Sequence, residues 1–522
     1  MLQFKMRRVA LVTGAALAAT ALAASTLAAP SSAAGTGDTL TVAASSTPTS
    51  LDPMLQSVDQ INNMFINVAY DSFTRINNKT GKIVPDLATS WKYTDDSNKV
   101  FEMNLRTNVK FSDGSAFTAD DAVASIDYAR KNGVNKAWLA SISSVVAKDA
   151  NTVVINQSTS NDALPYLLSQ RLNFGSVIST KAAATPSLLK TASYGAGPYM
   201  LDSSATVANS SYVYVPNPYY WNPSIIKWKK IVIKIVADQN AALQAVQAGT
   251  ADLFSGNQPT ATAARAGGLS VATAPFGITG VQIQDRNGEI VPALKNPLVR
   301  QAMFYAIDRT AIANAVFTGF STPLPTLIIG QQDGYKAIET RIYQYNMNRA
   351  KQLLRKAGYE KGFSFNMSVP TANNTHLAAQ AVVASWAQLG IKANLTTYTD
   401  LGQLTKDILA KKYAVSVFNY GSLPTIIQSA SFLNGGATQF NAFNVIDDQV
   451  NASLAAGAAA SSDKAKNEAY YQAWHRAQVD LAWFTSIYLR DQVTIYNQKK
   501  ITGVFVNTKN PAVDLAWTVA SV

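Results

Sequence analysis

The sequence predicts an α/β fold, and three observations carry the prediction. Strand-like and helix-like patterns alternate over nearly all of the 522 residues, with no repeat period and no low-complexity tract beyond Ala/Ser patches such as NASLAAGAAASS. There is no cysteine, so buried apolar cores rather than disulfides must hold a chain of this length. A strand–helix–strand unit is legible between residues 391 and 420, the connection that normally gives right-handed parallel pairing.

Taken in chain order, the first element is a leader. Lys5, Arg7 and Arg8 precede the apolar VALVTGAALAATALAASTLAA and the small-residue stretch PSSAAG, which together read as a secretory signal peptide over residues 1–34, cut after Ala34. No later apolar run reaches transmembrane length, so the mature chain is expected outside the cytoplasm, first of all in a periplasm and otherwise at the cell surface or secreted. Pro30 stands where a lipid-bearing cysteine could have stood after TLAA, and no lipid anchor is expected.

The stretch VKFSDGSAFTADDAVASIDYAR, residues 109–130, reads as strand, turn and capped helix. Ser112, Asp113 and Gly114 suit a tight turn, Thr118 is an N-cap with Asp121 three residues on, and Ala122, Val123, Ile126 and Ala129 form one apolar stripe. Adjacent Asp120 and Asp121 point about 100° apart on a helix, which excludes them as a catalytic pair. IVIKIV (231–236) is a buried strand, after which Asp238 caps a helix that stops at Gly249. Asn296 and Pro297 open a helix running to Arg309, and NMNRAKQLLRKAG is a helix closed by Gly358. Ala378, Val382, Trp386 and Leu389 share a stripe before Gly390; Ile391, Ala393, Leu395 and Thr397 share a strand face; Asp400 with Gln403 makes a capping-box start. The apolar YAVSVFNY (413–420) completes the unit, and its carboxyl end, Asn419 and Tyr420, is where α/β sheets present ligand groups.

Charge and chemistry narrow the function. The net charge is +12, or +9 without Lys5, Arg7 and Arg8, and it reflects few carboxylates rather than basic clusters. The cations are scattered, with short pairs such as Lys229-Lys230, Lys411-Lys412 and Lys499-Lys500 and no longer run, so nucleic acid is not an expected partner. His376 and His475 are the only histidines, and neither has a nucleophile elbow nearby. There is no His-x-x-x-His pair, no calcium loop and no phosphate-binding glycine loop, so no catalytic residue, metal or cofactor is expected. By elimination the chain is a binder.

At this point VPDLATSWKYTDDSNKVFEMNLRTNVKFSDGSAFTADDAVASIDYAR (84–130) resembles the hallmark segment of the bacterial extracellular solute-binding proteins of family 5, the peptide and nickel binders of ABC importers. LDP (51–53), YDSFTR (70–75), GAGPYML (195–201), NPYYWNP (217–223), IVADQNAALQAVQAGTADL (235–253), NPLVRQAMFYAIDR (296–309) and AKQLLRKAGY (350–359) are similar to the family's successive landmarks in order. The resemblance implies a two-lobed periplasmic-binding-protein (Venus-flytrap) fold with an extra subdomain in the first lobe. Its expected limits are lobe I over 35–75 and 195–280, the extra subdomain over 76–194, lobe II over 281–488, and a return to lobe I over 489–522. The chain would cross between lobes near 281–288 and 487–496, close over a ligand by hinge bending, and dock as a monomer on a membrane permease.

The resemblance also points to ligand residues. Dipeptide binders of the family hold the amino terminus with an aspartate after the strand matching YAVSVFNY, and the carboxylate with an arginine in the loop matching VPTANNT. Here the first place offers Asn419, Tyr420, Gly421 and Ser422 and the second Thr371, Asn373 and Asn374, without a charge in either; Phe418, before Asn419, is added to the ligand candidates, and Phe440 and Asn441 are weaker candidates on the same wall. A short zwitterionic peptide held by its ends is therefore disfavoured. The expected ligand is a longer peptide bound through its backbone, with an oligosaccharide or other uncharged solute, or a nickel chelate, as alternatives. A secreted hydrolase or a ligand sensor are the rivals from other classes. Tyr219, Tyr220 and Trp221 are read as core packing before a stacking platform.

Overall fold

A computed structural model describes residues 38–56 and 59–522, so the signal-peptide reading of 1–34 lies outside the described residues. The chain opens with β1 (Leu40–Ala44) and α1 (Gln60–Asn67), whose N-cap Asp59 accepts from the Asn62 amide. An antiparallel sheet of four strands follows: β2 (Ala88–Tyr93), β3 (Val100–Leu105), β4 (Ile142–Asp149) and β5 (Thr152–Gln157), in the order β2-β3-β5-β4. Between β3 and β4 lies α2 (Ala119–Asn132), which has the reciprocal capping box: the Asp121 amide donates to Thr118 Oγ1, and the Thr118 amide donates to Asp121 Oδ2. Asp121 Oδ1 also accepts from the Thr180 amide and hydroxyl, at 2.8 and 2.7 Å, so one carboxylate ties the helix to a segment 59 residues away. The module beginning at Val109 is thus structural.

The main sheet has eleven strands. In chain order they are β1, β6 (Tyr199–Leu201), β7 (Ser211–Pro216), β8 (Ile231–Ile235), β9 (Leu253–Gly256), β10 (Ser270–Ile283), β11 (Ser321–Pro323), β12 (Ser364–Pro370), β13 (Lys392–Tyr398), β14 (Val415–Gly421) and β15 (Phe484–Tyr496). Their spatial order is β13-β12-β14-β10-β15-β9-β1-β8-β7-β6, with β11 added to β15. The long antiparallel strands β10 and β15 are common to both halves of the sheet. β14 pairs β10 only over Gly277–Ile283, and β9 pairs β15 only over Val493–Tyr496. Between these stretches the β10–β15 register slips by one residue, leaving Phe276 as a bulge.

Each half has its own buried core on both faces, which is the two-lobed arrangement. On the β12–β14 half, Val417 belongs to one core and its neighbour Phe418 to another; on the β1 half, Val42 and Ala43 part in the same way. That follows from alternation, since successive side chains of a strand leave opposite faces.

Sequence and structure agree closely at the helix ends. Asp238 accepts from the Ala241 amide, Asn296 from the Leu298 amide, and Gly249, Gly358 and Gly390 take φ of 74°, 81° and 74° just past their helices. Three details differ. The helix read from 297 to 309 stops at Tyr305, because Asp308 caps a new helix, Arg309–Phe317. β13 and β14 do not pair with each other; both run parallel to β12, which occupies the slot between them. Gln403 turns away from the Asp400 cap to donate to Asp407 Oδ1, so the capping box there is one-sided. Among the described residues no helix is long and apolar enough to cross a membrane.

Candidate functional site

The carboxyl ends of four strands converge. Ser45 follows β1, Gly256 and Asn257 end β9, Asn373 and Asn374 follow β12, and Asn419, Tyr420 and Gly421 end β14; all border one cavity of about 730 Å³. This is the crevice that parallel strands leave at a switch in sheet order. Phe276 and Gly277 of β10 and Arg490–Val493 of β15 cross its floor, and Asp59–Ile61, Trp138 and Arg171 close it from the β1 side. Asn373 and Asn374 have φ of 53° and 56°, a left-handed pair that asparagine tolerates better than other side-chain-bearing residues.

The expected ligand residues divide. Asn419, Tyr420, Gly421 and Asn373 border the cavity, whereas Thr371, Phe418, Phe440 and Asn441 do not. Phe418 precedes Asn419 on β14, so alternation sends it into the core, where its ring meets Phe432 and Phe440 edge-on at 5.3 and 5.7 Å. Phe440 stacks on Phe432 at 4.2 Å. Asn441 is fully buried and spans its own turn, accepting from the Val445 amide and donating to the Val445 carbonyl. Thr371 donates through both amide and hydroxyl to the Tyr398 carbonyl. These four support the wall from behind. Tyr420 mediates between the layers: its ring packs on Phe432 and Phe440 while the residue remains half-buried at the cavity.

Tyr220 and Trp221 both donate to Asp71 Oδ2, at 2.8 and 3.0 Å, away from the cavity. Neither histidine borders the cavity; His475 Nδ1 lies 2.7 Å from Glu339 Oε1. Among the described residues no group of acids and histidines has the arrangement of a metal site.

Sequence reasoning missed the charges of the site. Arg171, Arg490, Asp59 and Asp491 all border the cavity. Asp59 is engaged as a helix cap, and Arg171 lies 5.3 Å above the Phe276 ring. Burial lowers the Arg490 guanidinium below its ordinary value and raises the Asp491 carboxyl, while the attraction between the two opposes both shifts. Beside them runs a polar row in which Gln492 Nε2 donates to Ser255 Oγ, and Ser255 Oγ to Gln60 Oε1, each at 3.1 Å, joining β15, β9 and α1. The available signal was the pair Arg490-Asp491 inside the otherwise strand-like IYLRDQVTIY.

Two lobes joined by two crossing strands, with a cavity of mixed polar and apolar lining between them, are the architecture of proteins that capture a solute by hinge closure. The model of the bacterial extracellular solute-binding proteins, family 5 (Middle) matches residues 82–441, and the chain belongs to that family. It is therefore a solute-binding protein of the ABC-importer type, and its family is extracytoplasmic. The heme-binding protein A of Haemophilus influenzae is 28% identical over 406 residues, covering 69% of this chain and 70% of the relative. The dipeptide-binding protein of Escherichia coli is 26% identical over 392 residues, covering 69% and 72%. Among solved structures, the periplasmic binding protein DppA from Helicobacter pylori in complex with the peptide STSA superposes with a TM-score of 0.76 over 93% of this chain and 98% of that one, at 20% identity.

Proposed function

We propose that the captured solute is an oligopeptide, held without any catalytic step and passed by the monomeric protein to a membrane permease. The observation that carries this reading is the free edge of β14. β12 pairs with β14 only through Met367–Ser368 and Val415–Ser416, so among the described residues Val417–Gly421 have strand pairing on the β10 side alone. An extended backbone is the ligand that uses such an edge, and this edge ends in the cavity at Asn419, Tyr420 and Gly421. A cavity of about 730 Å³ falls within the roughly 300–1,000 Å³ of small-ligand sites. The names of the Escherichia coli relative and the Helicobacter pylori complex support the same class.

The lobe limits proposed from the sequence belong to this reading: 35–75, 195–280 and 489–522 for lobe I, 76–194 for its extra subdomain and 281–488 for lobe II. The hinge is β10 with β15, and the change of sheet neighbours near Phe276 and Asp491 supports it. Residues 1–34 are proposed as the leader of a periplasmic protein without a lipid anchor.

Native mass spectrometry of the mature protein, gently purified, tests the ligand class. The expected result is a ladder of adduct masses that fragment into peptides. A single sugar, tetrapyrrole or metal-chelate mass overturns the peptide reading and leaves the fold untouched.

A further inference from the structure

Besides Arg171 and Arg490, which border the cavity, four arginines are largely buried among the described residues, and all four are answered by protein groups. Arg75 meets the carboxylates of Asp71, Asp86 and Asp514 at 2.9, 3.0 and 2.7 Å. Arg286 donates to the carbonyls of Ile283, Val445, Phe432 and Phe440. Arg300 reaches those of Leu481, Arg286, Leu294 and Lys295, and Arg309 those of Ser486, Ile307 and Tyr343 together with Thr485 Oγ1.

Arg490 is different. Its one hydrogen bond goes from Nη1 to the Asp491 carbonyl at a long 3.3 Å, and its buried Nε has no partner among the described residues. Asp491 is its neighbour in sequence, yet the two make no ion pair, because adjacent side chains on a strand leave opposite faces. The guanidinium lies against Gly277, where an added Cβ would stand 2.8 Å from Arg490 Nη2, so glycine leaves it room that a larger residue would have to push it out of. A guanidinium has five donors in a planar fork, and burying it with one of them weakly used is costly unless something else completes the shell. Arg490 borders the cavity, and so does Arg171, above Phe276, the bulged residue next to Gly277.

We infer that Arg490, with Arg171 over Phe276 in the same cavity, receives a carboxylate of the bound peptide. This deepens the peptide reading and rests on it. The chemistry is that of a planar fork meeting a planar anion. The carboxylate comes either from the peptide's C-terminus or from an Asp or Glu side chain. The absence of charge in the loops at Thr371 and Asn419 is no obstacle, because the hinge strand β15 supplies the counter-charge.

The test is competitive capture by the ligand-stripped mature protein, read by native mass spectrometry. Three random tri- to pentapeptide libraries are offered: free acids, C-terminal amides, and C-terminal amides lacking Asp and Glu. The carboxylate-free library is expected to be captured at least about tenfold less than the free acids. Capture of the second library tells which carboxylate is read: loss with amidation assigns the C-terminus, retention assigns the side chain. Equal capture of all three overturns the inference while the peptide reading stands; capture of no peptide overturns both. Arg490→Gln is expected to abolish the preference, and Arg490→Lys to restore part of it. A persistent preference in a folded Arg490→Gln protein overturns the assignment to Arg490. Should that variant fail to fold, the library comparison on the unmodified protein still decides.

Discussion

Asp86 shows how one buried residue couples this protein's stability to pH. It lies with Asp71 and Asp514 around Arg75, three carboxylates against one guanidinium, all buried. Burial raises the pKa of all three acids above the ordinary 3.8, with Arg75 opposing the shift in each case. An acid whose pKa is raised on folding binds more protons in the folded than in the unfolded chain. Its contribution is therefore favourable at low pH and is lost as pH rises from about 4 towards neutrality. Asp86→Asn removes one such group and its ion pair to Arg75, and leaves a single side-chain oxygen to accept from the Ser72 amide. The variant is expected to be less stable than the parent at pH 4.5 and to recover part of the deficit at pH 7. Urea denaturation at the two pH values measures this, and a deficit that stays constant or grows with pH would refute the coupling.

At the scale of single elements, the capped helix α2 separates local from long-range information. Thr118→Ala deletes the acceptor of the Asp121 amide and is expected to cost about 1 kcal/mol. Asp121→Ala leaves that amide bond in place but deletes four others, those from the Thr118 and Thr180 amides and hydroxyls. Its cost is expected to be clearly greater, while ligand affinity stays unchanged in both variants because neither residue borders the cavity. Equal costs in urea denaturation would mean that the tie to Thr180 contributes nothing. The same helix shows why parts of this protein were legible in its sequence. A cap and its acceptor lie within three residues, as at Asp238, Asn296 and Thr118, so the pattern is local and the reading held. The Asp121–Thr180 bond, the place of β12 between β13 and β14, and the cluster around Arg75 depend on residues tens to hundreds of positions apart. Among the residues that border the cavity, Asn419 and Tyr420 were legible because a strand's carboxyl end is recognisable; Arg490 was not, because its surroundings are set by Gly277 and Phe276 from another strand.

On the scale of the whole molecule, the two lobes meet again away from β10 and β15. Lys466 on the helix Asp463–His475 of lobe II lies 3.3 Å from Asp162 and 3.5 Å from Asp333. With the lobe limits proposed above, Asp162 falls on the lobe I side, which makes Lys466 a bridge between the lobes. Asn98 adds a second strap, donating to the carbonyls of Ala458 and Ala460 at 3.0 and 3.3 Å. Separating the lobes would break both contacts, so they favour closure independently of any ligand. The ion pair is partly desolvated, which makes its loss more costly than that of a fully exposed pair. Lys466→Met leaves the Asp162 carboxylate without its cation in the closed form, whereas opening returns it to water. The variant is therefore expected to have a larger radius of gyration by small-angle scattering in the ligand-free state. It should also bind its ligand more weakly, by about two- to tenfold, since ligand must now close lobes that rest further apart. Saturating ligand should restore the parent's radius, because the hinge and the cavity are intact. An unchanged ligand-free radius with weakened binding would place the effect in the cavity rather than in the open-to-closed equilibrium, and would remove Lys466 from the account of closure.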